Sequence, residues 1–259
     1  MKDLKNLLNS INQLINLKGL LFLPVDIYFF FRNLFFLLIS KNERSHIGQY
    51  GDREFNFRLY PCFADRSKVT NFDAHYYYQE YWAVKYILKN NFNVHHDFAS
   101  QINLSKIISL HKKTFFHDIR PLKGISLNNL TIMKTDLMSF SPKMKIDSAS
   151  CLHVIEHIGL GRYGDKPDYF GDLKALDKLG KSINTNGFLY LSLPIGKQSI
   201  YFDAHRVYDP QILVQHLSDK FSLVHFSSVN DKGKFKENDL YTNFKNAHYS
   251  LGMFIFKKT

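Results

Sequence analysis

From residue 93 onward, short apolar runs alternate with segments of helical periodicity, and this alternation constrains the fold more than any other feature. The pattern is typical of βαβ units, in which parallel strands form one sheet and the connecting helices cover both of its faces. We therefore predict an α/β fold with a mostly parallel sheet of about seven strands. The predicted strands are 92–98, 114–119, 130–135, 146–152, 187–193, 221–227 and 249–256, and the predicted helices are 102–110, 170–183 and 210–217.

The residues before this region divide into two parts by composition. Residues 1–45 are mostly apolar and predict a helical extension, whereas residues 46–92 predict a loop-rich connector followed by a helix over 73–90 with an aromatic face. We expect most rings of that helix to pack in the core, with a ring at its edge available to line a pocket. The α/β domain itself then spans residues 93–259.

The extension is predicted to contain two helical segments separated at 19–24, because Pro24 suits the first turn of a helix. Asp26 and Arg32 interrupt the apolar run, which is therefore shorter than the ~18 residues typical of a membrane-spanning helix. No small-residue cleavage site follows it, so we expect no signal peptide. Two interpretations stay open: residues 20–39 pack on the domain or on a second subunit of a homo-oligomer, or they lie in a membrane interface.

The charge of the chain favours anionic partners. A net charge of +11 and a pI near 9.4 suit phosphates, nucleotide sugars or a membrane surface, although an AT-rich genome alone would also raise the pI. No dense basic block interleaved with aromatic residues is present, so we expect no nucleic-acid partner. Cys62 and Cys151 lie far apart and form no disulfide framework. We therefore expect a cytoplasmic protein, with the inner face of the membrane as the alternative location.

An acidic residue stands at the end of each of the first three predicted strands: Asp97, Asp118 and Asp136. The carboxyl ends of parallel strands meet at one edge of a sheet, where α/β folds bind ligands. A carboxylate at the end of the second strand accepts hydrogen bonds from a ribose diol in nucleotide-binding folds, and Asp118 has that position. Each aspartate alone is compatible with a turn or a helix cap. Together, the three favour a nucleotide site.

The segment 150–165 follows the fourth predicted strand and carries His153, Glu156 and His157 directly before three glycines. Glycines would allow the backbone to turn closely around a ligand. The same histidines and glutamate match the inverted zincin pattern, which binds zinc from one face of a long helix. Because the glycines at 159, 161 and 164 would break such a helix, we expect no metal site. A packing or capping role for at least one histidine is the alternative.

These residues together resemble class I S-adenosylmethionine-dependent methyltransferases, which have a Rossmann-like fold. The resemblance is carried by Asp97-Phe98-Ala99-Ser100, Asp118-Ile119-Arg120, Asp136-Leu137, Asp147, Val154-Ile155-Glu156-His157 and the run 176–194. A closer resemblance, over residues 60–210, is to an uncharacterised bacterial family called domain of unknown function 268. It is carried by the segments 65–66, 72–76, 96–97, 153–165 and 204–207. Members of that family are expected near surface-polysaccharide assembly genes.

The resemblance implies S-adenosylmethionine as the cofactor. It implies cofactor-binding roles for Asp97, Ala99, Ser100, Asp118, Ile119, Asp136, Leu137 and Leu152. The resembling families have a glycine at the position of Ala99, which lets the backbone approach the cofactor, and no Gly-x-Gly follows it here. This departure makes a domain with a weakened or lost cofactor site one of the alternatives.

Methyl transfer to a hydroxyl benefits from a base, and His157 is the first candidate, with His153 and Glu156 as alternatives. We expect the residues on the glycine loop and after the fifth strand to bind the acceptor. These residues are Arg162, Tyr163, His205 and Arg206. Arg206 alternatively pairs with Asp203 or Asp209.

We therefore expect an enzyme that O-methylates a sugar or a surface-polysaccharide precursor, with a small molecule or glycan as acceptor. A second class is a catalytically idle domain of the same fold that binds a partner in a polysaccharide assembly complex, which the alanine at 99 and the apolar extension favour. A third class is a zinc-dependent hydrolase that uses the two histidines of the HxxEH pattern.

Overall fold

A computed structural model describes residues 17–40, 70, 72–142, 145–201 and 204–259. The chain divides into two compact units, residues 1–71 and 72–259. The three-part division predicted from composition stays a prediction. The loop-rich part of the predicted connector and Cys62 lie outside the described residues.

The first unit contains one helix, α1 (Leu17–Ser40), among its described residues. The predicted division into two segments is wrong, because Pro24 lies inside α1. A proline removes one N–H and costs about 3 kcal/mol, but the long apolar residues on both sides keep the helical conformation. Tyr28, Phe31 and Phe35 of α1 are exposed, and no helix in the described part of the chain is long and apolar enough to cross a membrane. What covers this helix stays a prediction.

The second unit is built on a large sheet. Its strands are β1 (Val94–Phe98), β2 (Lys113–Asp118), β3 (Leu130–Lys134), β4 (Ile146–Leu152), β5 (Ile183–Ile195), β6 (Ser199–Tyr201), β7 (His205–Val207), β8 (Phe221–Val229), β9 (Phe235–Lys236) and β10 (Ser250–Lys258). Eight of them form the sheet β3-β2-β1-β4-β5-β10-β8-β9, and β6 and β7 form a separate hairpin. Strands β1 to β5 pair in parallel, whereas β10 is antiparallel to β5 and β8. The predicted mostly parallel α/β sheet is confirmed, with β9 as an additional short edge strand.

Helices cover both faces of this sheet. They are α2 (Ala74–Lys89), α3 (Ile102–Ser109), α4 (Gly171–Ser182) and α5 (Pro210–Leu217). Helices α4 and α5 contribute Leu176 and Leu213 to the core on one face. Helices α2 and α3 contribute Trp82 and Leu104 to the core on the other face. Successive residues of β5 and β10 enter the two cores in turn, as the two-residue period of a strand requires.

The strand order positions the site. Strands β2 and β3 lie on one side of β1, and β5 lies beyond β4 on the other side, so the order reverses between β1 and β4. In open α/β sheets this reversal leaves a crevice outside the carboxyl ends of the strands. The segment after β1, which begins at Ala99, and the segment after β4, which begins at His153, both start at this crevice.

Candidate active site

A cleft lies at the carboxyl ends of β1 to β4, where the strand order reverses. Its lining joins residues that are far apart in the sequence. Of the predicted site residues, the lining contains Ala99, Ser100, Asp118, Ile119, Asp136, Leu137, Leu152, His153, His157 and Tyr163. The predicted residues that do not line the cleft are Asp97, Glu156, Arg162, His205 and Arg206. The structure therefore brings most of the predicted cofactor residues together with two of the three predicted catalytic residues.

Ala99 has a left-handed backbone conformation, with φ of +54°. Its N–H donates to the His117 carbonyl at 2.8 Å, which fixes the turn after β1. A left-handed conformation costs roughly 1–2 kcal/mol for a residue with a Cβ atom, and glycine avoids this cost. The chain thus keeps a glycine-like backbone at the position where the resembling families have glycine. One methyl group is the only addition.

Asp118 and Asp136 line the cleft just after β2 and β3. Each uses one carboxylate oxygen locally. Asp118 Oδ1 accepts from the Arg120 N–H at 2.6 Å, and Asp136 Oδ1 accepts from the Met138 N–H at 2.9 Å. Within the described part of the chain, neither Oδ2 atom receives a hydrogen bond. Each carboxylate therefore keeps an acceptor oxygen for a ligand hydroxyl.

Asp97 is completely buried and does not line the cleft. Its carboxylate accepts hydrogen bonds from Ser105 Oγ and Ser150 Oγ, both at 2.6 Å. Burial raises the pKa of Asp97, and the serine hydroxyls oppose that rise. Because Ser150 belongs to β4, these bonds tie the ends of β1 and β4 together. The cofactor-binding role predicted for Asp97 would therefore be indirect.

His153 is the first residue after β4 and also has a left-handed conformation, with φ of +55°. Its Nδ1 lies 2.6 Å from Oε1 of the fully buried Glu156, so we assign the proton to Nδ1, which donates to the carboxylate. His153 Nε2 and Glu156 Oε2 are buried, and no described residue offers them a hydrogen bond. Strained non-glycine residues of this kind cluster at functional sites.

His157 lines the cleft with one ring nitrogen committed to the backbone. Its Nδ1 lies 2.6 Å from the carbonyl oxygen of Ala204, just before β7. A carbonyl only accepts, so Nδ1 carries the proton and a neutral ring has its lone pair on Nε2. Nε2 lies 3.8 Å from Glu156 Oε1. The geometry of His157 is that of a base with a fixed tautomer.

The zinc interpretation required a long helix through residues 153–157. Instead, the chain leaves β4 at His153 and makes one short 3₁₀ turn, Ile155–His157. The two histidine side chains direct their Nδ1 atoms to Glu156 and to a backbone carbonyl. The helical context of the zincin pattern is therefore missing.

The glycine loop folds around the Asp165 carboxylate, which accepts hydrogen bonds from the N–H groups of Gly159 (2.6 Å) and Tyr163 (3.4 Å). Gly159 has φ of +80°, and a Cβ atom there would lie 2.2 Å from the Asp168 carbonyl oxygen, so only glycine fits. The loop places Tyr163 in the cleft lining. Arg162 is exposed beside it and donates from Nη1 to the Ala204 carbonyl at 3.0 Å.

Arg206 has a structural position. Its guanidinium is buried, donates to the Ile158 carbonyl at 2.7 Å, and forms an ion pair with Asp172 at 3.5 Å. Its ion-pair partner is therefore Asp172 and not Asp209, and Asp203 lies outside the described residues. Arg206 holds the glycine loop against α4. It would therefore influence acceptor binding by positioning this loop and not by contacting the acceptor.

His205 also lies away from the cleft lining. Its ring centroid is 6.3 Å from that of His157 and 5.0 Å from that of Tyr249. Burial is the main cause that lowers its pKa, and its Nε2 atom is buried without a partner among the described residues. His205 therefore lies edge-on to His157, and any contact it makes with the acceptor stays a prediction.

Several polar residues of the lining were not predicted from the sequence, among them Tyr76, His117 and Arg120. Tyr76 lies in the first turn of α2. The sequence predicted that a ring of this helix could line a pocket, but not which ring. Burial lowers the pKa of His117 to about 4. Arg120 follows Asp118 by two residues, and its guanidinium carbon lies 4.5 Å from the ring centroid of Tyr163. The only signal in the sequence was its place in the Asp118-Ile119-Arg120 segment, which carries the methyltransferase resemblance but gave Arg120 no role of its own.

Comparison with solved structures shows the same fold in methyltransferases. The N-methyltransferase NodS from Bradyrhizobium japonicum, in complex with S-adenosyl-L-homocysteine, matches with a TM-score of 0.51 and 11% identity over 70% of this chain and 86% of that chain. The 1,6-didemethyltoxoflavin-N1-methyltransferase of Burkholderia thailandensis matches with a TM-score of 0.48 and 12% identity over 72% of this chain and 79% of that chain. The first match establishes a Rossmann-like methyltransferase fold. No curated protein matches the chain in sequence.

One family model matches the sequence, over residues 122–255. Its description is "Caenorhabditis protein of unknown function, DUF268". The predicted resemblance to this family is thus confirmed, but the description names Caenorhabditis, so the expectation of a bacterial family is not supported. The matched span contains the His153–Asp165 segment and covers more than half of the 259 residues. The chain therefore belongs to the DUF268 family.

Proposed function

We propose that this chain is an S-adenosylmethionine-dependent methyltransferase that O-methylates a sugar or a surface-polysaccharide precursor in the cytoplasm. One observation carries the proposal: Ala99, Asp118 and His157 line the same cleft at the reversal point of the sheet. The first of these supplies a glycine-like turn, the second a free carboxylate oxygen and the third a base. The fold shared with methyltransferases supports the reaction class.

The residues of the cleft fit the proposed cofactor. Asp118 Oδ2 is an acceptor for a ribose hydroxyl, and the left-handed turn at Ala99 lets the backbone come close to a ligand. Ile119, Leu137 and Leu152 supply apolar lining of the kind that small-molecule sites use around a few polar groups. When bound, S-adenosylmethionine supplies an activated methyl group.

The chain's own residues would prepare the acceptor. His157 Nε2 takes the proton of the acceptor hydroxyl, and the Ala204 carbonyl keeps the ring in the tautomer that leaves Nε2 free. Holding the hydroxyl in line with the methyl group accounts for most of the expected acceleration, and the base contributes about 10²- to 10⁴-fold. Tyr76 and Tyr163 flank the histidines and offer ring faces and hydroxyls to a sugar.

The test is a mass-spectrometric search for acceptors that gain one methyl group among nucleotide sugars and glycan precursors, coupled to calorimetry with S-adenosylhomocysteine. Asp118→Asn should lose affinity for S-adenosylhomocysteine by about tenfold or more, because one charged acceptor is removed. His157→Ala should keep that affinity and lose about 10²-fold or more of the methylation rate.

Two exposed residues away from the cleft serve as matched controls, Asp219→Asn and His111→Ala, and both should behave like the wild type. Wild-type protein that binds neither S-adenosylmethionine nor S-adenosylhomocysteine would contradict the proposal. The catalytically idle binding domain would then be the better interpretation, with the methyl group of Ala99 as its physical cause.

A further inference from the structure

Arg120 lines the cleft and Arg162 lies beside it, and no ion pair in the described part of the chain neutralises either charge. The guanidinium carbons of Arg120 and Arg162 lie 4.5 Å and 5.2 Å from the ring centroid of the same residue, Tyr163. Both arginines are exposed, and neither forms an ion pair with any residue that the structure describes. Two like charges against one ring repel each other, so a bound anion would stabilise the arrangement.

The donors of these guanidinium groups are mostly unused. A guanidinium has five N–H donors. Arg162 spends one of them on the Ala204 carbonyl, and within the described chain no hydrogen bond is made by the Arg120 side chain. Arginine forks match the oxygens of phosphate and carboxylate groups. The free donors therefore point to an oxyanion as the missing partner.

The acidic residues nearby do not pair with these guanidinium groups within the described part of the chain. Asp165 accepts from the backbone amides of its own loop, and Asp118 Oδ1 accepts from the Arg120 amide rather than from its guanidinium. Asp136 caps the turn that follows β3. These three carboxylates outnumber the two arginines, but within the described part of the chain none of them pairs with either guanidinium, so both guanidinium groups stay available to a ligand.

The position of the pair relates it to the base. The ring centroid of Tyr163 lies 5.3 Å from that of His157, in an edge-on arrangement. Arg162 and His157 donate to the same carbonyl oxygen, that of Ala204. An anion held by the two arginines would therefore lie beside the hydroxyl that His157 deprotonates.

We infer that the acceptor carries a phosphate group, bound by Arg120 and Arg162 around Tyr163. This inference rests on the proposed function and narrows its acceptor to phosphorylated compounds, such as nucleotide-linked or lipid-linked sugars. Phosphate is favoured over carboxylate because a carboxylate carries one charge, whereas a phosphate monoester carries about −1.5 to −2 at neutral pH and a diphosphate link carries one charge on each phosphate, so either matches two guanidinium groups. Arg120 is assigned as a specificity residue for the acceptor.

The experiment is a calorimetric titration of inorganic phosphate into protein saturated with S-adenosylhomocysteine. Arg120→Gln should weaken phosphate binding about tenfold or more, because a charge-assisted contact is lost. Arg162→Gln should weaken it as well, but this variant also removes the contact with Ala204, so Arg120→Gln is the cleaner test. Lys181→Gln removes one positive charge at the carboxyl end of α4, away from the cleft, and should leave phosphate binding unchanged.

Further experiments test whether the phosphate is recognised as part of a sugar phosphate, and whether the arginines bind the acceptor or the donor. Glucose 1-phosphate should bind more tightly than glucose in the wild type, and this difference should disappear in Arg120→Gln. Phosphate binding equal in Arg120→Gln and the wild type would overturn the inference, as would the absence of phosphate binding in a wild type that still binds S-adenosylhomocysteine. Competition between phosphate and S-adenosylhomocysteine would also overturn it, because the arginines would then serve the donor.

The two proposals can fail separately. If the wild type does not bind S-adenosylhomocysteine, the proposed function fails, and phosphate is titrated into the unliganded protein with the same variants. A loss of phosphate affinity in Arg120→Gln but not in Lys181→Gln would then still support an oxyanion site. In either case, an unchanged unfolding midpoint shows that a substitution left the fold intact. Where the wild type binds S-adenosylhomocysteine, an unchanged affinity of the variant for it is a second control.

Discussion

At the scale of single residues, the left-handed alanine after β1 makes the sharpest prediction. Ala99→Gly removes a conformational cost of roughly 1–2 kcal/mol and adds about 0.5–1 kcal/mol of unfolded-state entropy. We expect the free energy of unfolding to stay equal or to rise by up to about 1.5 kcal/mol. Affinity for S-adenosylhomocysteine should rise, because the methyl group no longer separates backbone and ligand. Urea unfolding and calorimetry measure the two effects.

The matched control for this substitution is Ala83→Gly in α2, which has helical geometry and a fully buried side chain. It should lower the free energy of unfolding by about 1 kcal/mol or more. If Ala99→Gly were equally destabilising, the turn after β1 would not have the strained conformation described above. The sequence alone predicted the position of Ala99 but not its φ, because the backbone conformation depends on how β1 and β2 are joined.

Contacts between distant residues explain which site residues the sequence predicted and which it did not. Asp118 and Asp136 end their strands, so topology alone directs them to the cleft. Asp97 also follows that rule, yet its carboxylate turns inward to two serines, one of them on β4. The sequence did not predict a site role for Arg120, because that role depends on its contact with Tyr163. This contact forms only when the glycine loop is folded.

At the scale of elements, the first turn of α2 connects stability to the site. The Asp73 side chain caps this helix by accepting from the backbone N–H groups of His75 (2.9 Å) and Tyr76 (3.4 Å). Asp73→Ala removes this cap and should lower the free energy of unfolding by about 1 kcal/mol. Without the cap the first turn of α2 should fray, and because Tyr76 of this turn lines the cleft, S-adenosylhomocysteine should bind more weakly. Asp73→Ser restores a capping oxygen and should recover most of both losses. Urea unfolding and calorimetry measure the two quantities. If Asp73→Ala changed neither the free energy of unfolding nor the affinity for S-adenosylhomocysteine, the proposed link between the cap and the cleft would be refuted.

Element boundaries were predictable where local rules and tertiary packing agree. The predicted bounds of β4 and α5 match the structure, since a buried run of small and apolar residues and a proline at the first helical turn are strong local signals. The break predicted at Pro24 failed because a single missing N–H did not outweigh the apolar residues around it. The β6–β7 hairpin, which carries the carbonyl that orients His157, has three-residue strands with no long periodic pattern, so the sequence did not reveal it.

At the scale of the whole molecule, buried histidines tie stability to pH. Burial lowers the pKa of His95 to about 3 and the pKa values of His75, His96 and His117 to about 4, from 6.5 in the unfolded chain. Between these values the unfolded state binds more protons than the folded state, so the free energy of unfolding falls as the pH falls. Stability should therefore decline from about pH 6.5 toward pH 4, above the range in which carboxylates protonate.

The histidine origin of this decline can be tested on His95, which is fully buried and bridges Ser148 Oγ (2.8 Å) and Ser150 Oγ (2.9 Å). Besides burial, the nearby His96 and Lys112 disfavour the protonation of His95 and lower its pKa further. His95→Gln keeps a group that donates and accepts but cannot titrate, so the urea midpoint should depend less steeply on pH between 6.5 and 4.5. The exposed His111→Gln is the control and should keep the wild-type slope. An unchanged slope in His95→Gln, or a wild-type midpoint that rises as the pH falls, would show that other groups govern the acid sensitivity of the fold.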